Sequence, residues 1–128
     1  MSGRVVHFEV PYDDADRARS FYQDVFDWQL QEMPDMQYTI VSTGPADDTG
    51  MPSEPGFIGG GLMQRAAPAT TPVITLMVDD IDATLAEVGK HGGSTAAPKM
   101  AVGDMGFTAY FTDSEGNLMG LWQSAAPQ

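Results

Sequence analysis

The sequence predicts an α+β fold made of two tandem βαβββ modules, and three observations predict it. The order strand, helix, strand, strand, strand is written twice along the chain, with a Pro- and Thr-rich break at residues 66–72. Each helix is announced by an Asp cap and an apolar stripe of helical period. The chain closes on a β-hairpin, 107–123, whose turn is Asp113-Ser114-Glu115-Gly116-Asn117. A single module leaves its sheet half covered. Two modules packed together form a curved mixed sheet around a cleft, with the helices outside. The expectation is one domain over 1–128, with modules at about 4–66 and 72–124.

In the first module, Val5 to Val10 alternates. Val6, Phe8 and Val10 share one face; Val5, His7 and Glu9 share the other. Two ionisable groups side by side on a strand face fit a cleft wall. Asp13 or Asp14 caps a helix reaching about Phe26. Its stripe of Ala18, Phe21, Tyr22, Val25 and Phe26 has core spacing. Strands are expected over 28–33 and 36–43, around a Pro34-Asp35 turn. Residues 44–56 hold three Pro, three Gly and three acids and read as loop. The fourth strand, 57–65, contains Gly59-Gly60-Gly61. Glycine inside a strand marks a bulge or the close approach of backbone or ligand. Context argues against a phosphate-cradling loop, since no strand–Gly–helix pattern or following GK[ST] is present.

The second module opens with a strand over 73–78 and an Asp79-Asp80 cap. A helix follows from Ile81 to about His91, with Ile81, Leu85 and Val88 inward. Gly92 ends it. Residues 94–97 read as a short strand and 98–106 as loop. In the last strand Leu118, Gly120 and Trp122 share one face, and Met119, Leu121 and Gln123 the other.

Composition narrows the function. At 128 residues with 42% hydrophobic content, the chain can bury roughly two thirds of its unfolded surface. No apolar run reaches the ~20 residues of a membrane span, and no basic-then-apolar leader is seen, so a cytoplasmic protein with no membrane partner is expected. Cysteine is absent, which removes disulfides, thiolate nucleophiles and Cys-ligated metals. Eighteen acids against six Lys and Arg give a net charge of −12, which argues against a nucleic-acid partner. Such an acidic, lysine-poor surface suits a high-salt interior, where screening weakens self-repulsion.

The doubled pattern resembles the vicinal oxygen chelate superfamily, which contains glyoxalase I, bleomycin-resistance proteins, extradiol dioxygenases and methylmalonyl-CoA epimerase. The residues that carry the likeness are HFEVPYDDADRARSFYQDVFDW, GGGLMQR, ITLMVDDIDATLAEVGKHGG and TDSEGNLMGLWQ. The resemblance implies the glyoxalase/bleomycin-resistance fold, a homodimer and, in its enzymes, one divalent metal held from the first and fourth strands of each half. Carried onto this chain, those positions are His7, Gly61, Val73 and Gly120. Only His7 offers a lone pair, while a divalent ion needs several N or O donors at about 2.0–2.2 Å. No metal and no cofactor are therefore expected.

With donors absent at Gly61 and Gly120, the cleft near His7 has room for a small organic molecule. Tyr38, Phe107 and Tyr110 are the expected aromatic walls, and Trp122 is expected in the core. The candidate ligand-binding residues are thus His7, Glu9, Tyr38, Gly61, Phe107, Tyr110 and Gly120, with His7 and Glu9 as candidate acid–base residues. Glu9 beside His7 is expected to raise the imidazole pKa. Three functions fit: a metal-free binder that sequesters a ligand or assists a pathway; a lyase, isomerase or dioxygenase working through His7 and Glu9, with or without a weakly bound divalent metal; and a protein-interaction module.

Overall fold

The computed structural model describes residues 3–48 and 51–125. These fall into two compact units, His7–Pro72 and the residues from Val73 onward together with 3–6. Each follows the same chain order, and each is described by itself.

The first module runs β1 (Arg4–Tyr12), α1 (Ala15–Phe26), β2 (Gln29–Met33), a 3₁₀ turn (Pro34–Met36), β3 (Tyr38–Ser42) and β4 (Gly59–Gln64). Its strands lie in the order β2-β3-β4-β1. β2/β3 and β3/β4 are antiparallel; β1 and β4 are parallel, with Glu9 opposite Gly61. The second module repeats the plan with β5 (Val73–Met77), α2 (Ile81–Lys90), β6 (Ser94–Val102), β7 (Gly106–Thr112) and β8 (Leu118–Ser124). Its order is β6-β7-β8-β5, and β5 lies parallel to β8. The loop read at 44–56 includes residues 49 and 50, which lie outside the described residues.

Both helices start as the sequence dictates. The side chains of Asp14 and Asp80 accept from the backbone N–H of Arg17 and Ala83, each at 3.0 Å. Gln123, at the end of β8, adds a tertiary cap: its Oε1 accepts from Ile81 N at 2.8 Å. One side chain thereby ties the first turn of α2 to the sheet. At the hairpin, Asp113 accepts from the N–H groups of Glu115 and Asn117, both at 2.9 Å. Those bonds, led by Asn117, hold its carboxyl pKa below the ordinary value. Gly116 takes the positive φ of the turn, +85°.

The second module packs as read. Ile81 is fully buried against Val78, Ala109, Phe111 and Leu121, with Leu85 and Val88 beside them. Its third element differs from expectation. β6 runs through Pro98 to Val102 instead of ending at 97. Two register shifts, between Thr95 and Ala97 and between Ala97 and Met100, put the proline at an irregularity where its missing N–H does little harm.

The α1 stripe is a clearer correction. No residue of α1 is buried, and Phe21, Val25 and Phe26 are more than half exposed. The aromatic rings gather instead around Trp28. Tyr22 stacks on it at 4.4 Å and 7°, and Phe8 of β1 meets it at 5.6 Å. At Gly60 there is no side chain, and a Cβ there would stand 2.7 Å from the Phe8 ring.

Replacing Asp80 by Ala removes the acceptor for Ala83 N–H and is expected to cost about 1 kcal/mol of unfolding free energy. Urea denaturation of Asp80→Ala against the parent checks this; an unchanged midpoint would mean that the Gln123 contact alone secures the helix start.

Candidate functional site

The site is built from three strands of the first module. β1 places His7 and Glu9 on the sheet face opposite Phe8. β4, its parallel neighbour, presents Gly59 opposite His7 and Gly61 opposite Glu9. β3 runs antiparallel on the far side of β4, with Ile40 opposite Gly61 and Tyr38 opposite Met63. Tyr38 enters β3 directly after Gln37, whose left-handed backbone (φ 51°) closes the 3₁₀ turn.

From there the Tyr38 phenol leans across β4 to the β1 residues. Its hydroxyl lies 2.7 Å from His7 Nε2 and donates to Glu9 Oε2 at 3.0 Å. The imidazole and phenol planes are nearly parallel, 15° apart with centroids at 6.3 Å. This crossing depends on Gly61: a Cβ at that position would overlap the Tyr38 hydroxyl and the adjoining ring carbons. The phenol thus fills the space that a side chain on β4 would take.

Burial sets the electrostatics. Glu9 is only 8% exposed. Desolvation lowers the His7 pKa below its ordinary value, and the opposing pull of the Glu9 charge is smaller. The sequence expectation of a raised pKa is thereby corrected: charge proximity is present, but burial outweighs it.

In the second module the matching strand positions carry other chemistry. Thr75 follows Val73 by two residues as Glu9 follows His7, and Thr75 pairs with Gly120 as Glu9 pairs with Gly61. Val73 is 1% and Thr75 6% exposed. A Cβ at Gly120 would stand 2.7 Å from Thr75 Oγ1 and 3.5 Å from Val73 Cγ1. Tyr110 lies opposite Gly120, and Trp122 shares their face, away from the buried Leu121. Trp122, expected in the core, is half-buried on the sheet face away from the helix-side cluster. Phe107 moves the other way. It packs beside Ala109 and Phe111 against that core, with Lys99 Nζ 4.6 Å above its ring. Alternation along β7 explains this, since Phe107 and Phe111 share a parity that Tyr110 does not.

His7, Glu9, Tyr38 and Gly61 therefore come together in one module. Gly120 and Tyr110 are paired in the other, and Phe107 is partly buried against its core. Sequence reading missed Thr75, whose signal was the two-residue spacing shared with Glu9. It also placed Tyr38 only in a wall, whereas Tyr38 is the centre of the array. A depression of about 410 Å³ adjoins the array through Tyr38 and is lined also by Tyr12, Arg19, Glu32, Thr39 and Gln64. Its one cation, Arg19, is already met by Asp16 at 2.6 Å and Glu32 at 3.6 Å.

The divalent metal implied by the resemblance does not fit these residues. In the first module Gly61 supplies no donor, and the Tyr38 phenol occupies its space. In the second, Val73 and Gly120 have no lone pairs to give. Among the described residues no group of three or more His, Asp or Glu could hold a metal ion.

Comparison with known proteins agrees with this architecture. The family described as bleomycin resistance protein-like N-terminal matches residues 4–44. CFP32, a proposed glyoxylase of Mycobacterium bovis, is 30% identical over 119 residues, covering 87% of this chain. The chain spans 42% of the length of that protein. A glyoxylase-like domain-containing protein of Didymella fabae is 29% identical over 122 residues, 91% of each chain. The fold is that of Streptomyces coelicolor methylmalonyl-CoA epimerase in complex with 2-nitronate-propionyl-CoA, with a TM-score of 0.65 at 16% identity, covering 100% of this chain and 99% of that one. The Mycobacterium tuberculosis epimerase gives a TM-score of 0.62 at 17% identity over 98% of this chain and 89% of that one. Among the described residues no helix is long and apolar enough to cross a membrane. With its doubled βαβββ plan, its glyoxylase-like relatives and its epimerase-like fold, the chain belongs to the vicinal oxygen chelate superfamily.

Proposed function

We propose that this chain is a metal-independent binder of a small organic molecule, acting as one cytoplasmic domain of two modules, about 4–66 and 72–124, in a homodimer. The observation that carries the reading is the Tyr38 hydroxyl bridging His7 and Glu9 over Gly61. A cation-binding relative needs donor side chains converging on an open point. Here the side chains converge on a phenol and satisfy one another. What the array offers a ligand is a fixed polar edge with two flat rings, the make-up of a small-molecule recognition surface.

Charge narrows the ligand. The epimerases of this fold are described in complex with acyl-CoA esters. Coenzyme A carries several phosphate charges, and a protein of net charge −12 with six Lys and Arg repels it. A neutral or cationic guest is favoured on the same ground. A thermal-shift screen of neutral and cationic aromatic compounds tests the reading. The expected result is a ligand-dependent rise in melting temperature that survives exhaustive EDTA dialysis and is lost in Tyr38→Ala. Stoichiometric Zn, Ni, Mn or Fe whose removal abolishes binding would contradict it and favour the superfamily's metal enzymes.

The buried imidazole also predicts a pH dependence. His7 binds its proton less readily in the folded chain than in the unfolded one, where the ordinary value of 6.5 applies. Its contribution to stability is therefore complete above about pH 6.5 and is lost as the pH falls from there through the lower folded value. His7→Gln should flatten that part of the stability profile. An unchanged slope below pH 6.5 in the variant would show that His7 is not the group responsible.

A further inference from the structure

The Tyr38 hydroxyl has one proton, and its neighbours decide where that proton points. The Glu9 carboxylate can only accept, so the hydroxyl donates to Oε2 at 3.0 Å. His7 Nε2 then faces, at 2.7 Å, an oxygen whose proton is already used. Two bare lone pairs at that distance repel. The contact is a hydrogen bond only if Nε2 carries a proton and donates it. Polarity therefore runs one way, from His7 Nε2–H to Tyr38 O–H to the Glu9 carboxylate.

This direction fixes the other side of the ring. Burial favours neutral imidazole, and a neutral imidazole has a single N–H. With that N–H at Nε2, Nδ1 is a pure acceptor. Its environment follows from two facts. The hydrogen bond of His7 within the described residues is made through Nε2. No sealed side-chain nitrogen or oxygen among those residues lacks a partner. Nδ1 therefore keeps some contact with solvent, and the hydrogen bond His7 makes within the described residues leaves it unused.

We infer that His7 Nδ1 is the ligand-reading atom of this site, and that it selects neutral guests donating a hydrogen bond, such as phenols, enols and amides, over their methylated counterparts. The inference rests on the binding role proposed above. A guest with a donor completes the chain of hydrogen bonds. One without a donor covers Nδ1 and strands a lone pair. That difference is expected to favour the donor by about tenfold in affinity. Tyr38 acts here as a positioning residue, through the tautomer it imposes on His7.

The test is nitrogen NMR of the folded protein, labelled at histidine, at about pH 8 so that the ring is neutral. A His91→Asn background leaves His7 as the only imidazole of the two in the chain. The expected spectrum shows protonated Nε2 and acceptor-type Nδ1, and Tyr38→Phe shifts the balance toward the Nδ1–H form. Titration with phenol should move the Nδ1 resonance, and phenol should bind about tenfold tighter than anisole, its methyl ether. An Nδ1–H tautomer in the Tyr38 protein overturns the inference, as does equal affinity for the two probes or an Nδ1 resonance that phenol leaves unmoved. None of these results touches the binding role itself, which fails separately if the thermal-shift screen finds no EDTA-resistant ligand.

Discussion

Two objects cannot share one volume, and at position 61 that rule decides the chemistry of the site. The Tyr38 phenol lies where a β-carbon on that residue would be. Only glycine there lets β3 send an aromatic side chain across β4 to β1. The backbone register makes the meeting possible, since parallel pairing sets Glu9 opposite Gly61 while antiparallel pairing sets Ile40 opposite the same glycine. Once the phenol is seated, two polar groups on a buried strand face gain the partner that makes their burial tolerable.

The internal repeat shows how a shared backbone can carry different chemistry. Both modules pair a glycine of the last strand with the third residue of a parallel first-strand segment. In the first module that segment reads His7-Phe8-Glu9 and is bridged by an aromatic hydroxyl. In the second it reads Val73-Ile74-Thr75, and the small side chains of Val73 and Thr75 close over Gly120. Among the described residues no group of three or more His, Asp or Glu could hold a metal ion. The backbone plan is thus shared between the halves while the side chains it carries differ, and fold alone does not settle function.

Much of the architecture could be read from local rules. Asp14, Asp80 and Gly92 mark helix ends through backbone chemistry that acts over a few residues. Alternation along β1 correctly put His7 and Glu9 side by side. Alternation was not enough for Phe107 and Trp122, because which face of β7 and β8 meets α2 depends on packing. Periodicity marked the α1 stripe, yet a stripe states only what could be buried, and Phe21, Val25 and Phe26 stay more than half exposed. The role of Tyr38 was hidden for a similar reason. It lies 31 residues from His7, and its reach depends on a missing side chain on a third strand. The sign of the His7 shift was hidden too, since adjacency to Glu9 is written in the chain but the depth of burial is not.

The dependence of this site on an absent side chain is open to direct measurement by a double-mutant cycle. Unfolding free energies are needed for the parent, Gly61→Ala, Tyr38→Ala and the double variant. If the phenol occupies the space beside Gly61, adding a methyl group there is costly with Tyr38 present and much cheaper once Tyr38 is truncated. The predicted coupling is on the order of 1 kcal/mol or more. Strictly additive effects would contradict the account, because they would mean that residues 38 and 61 do not compete for the same volume.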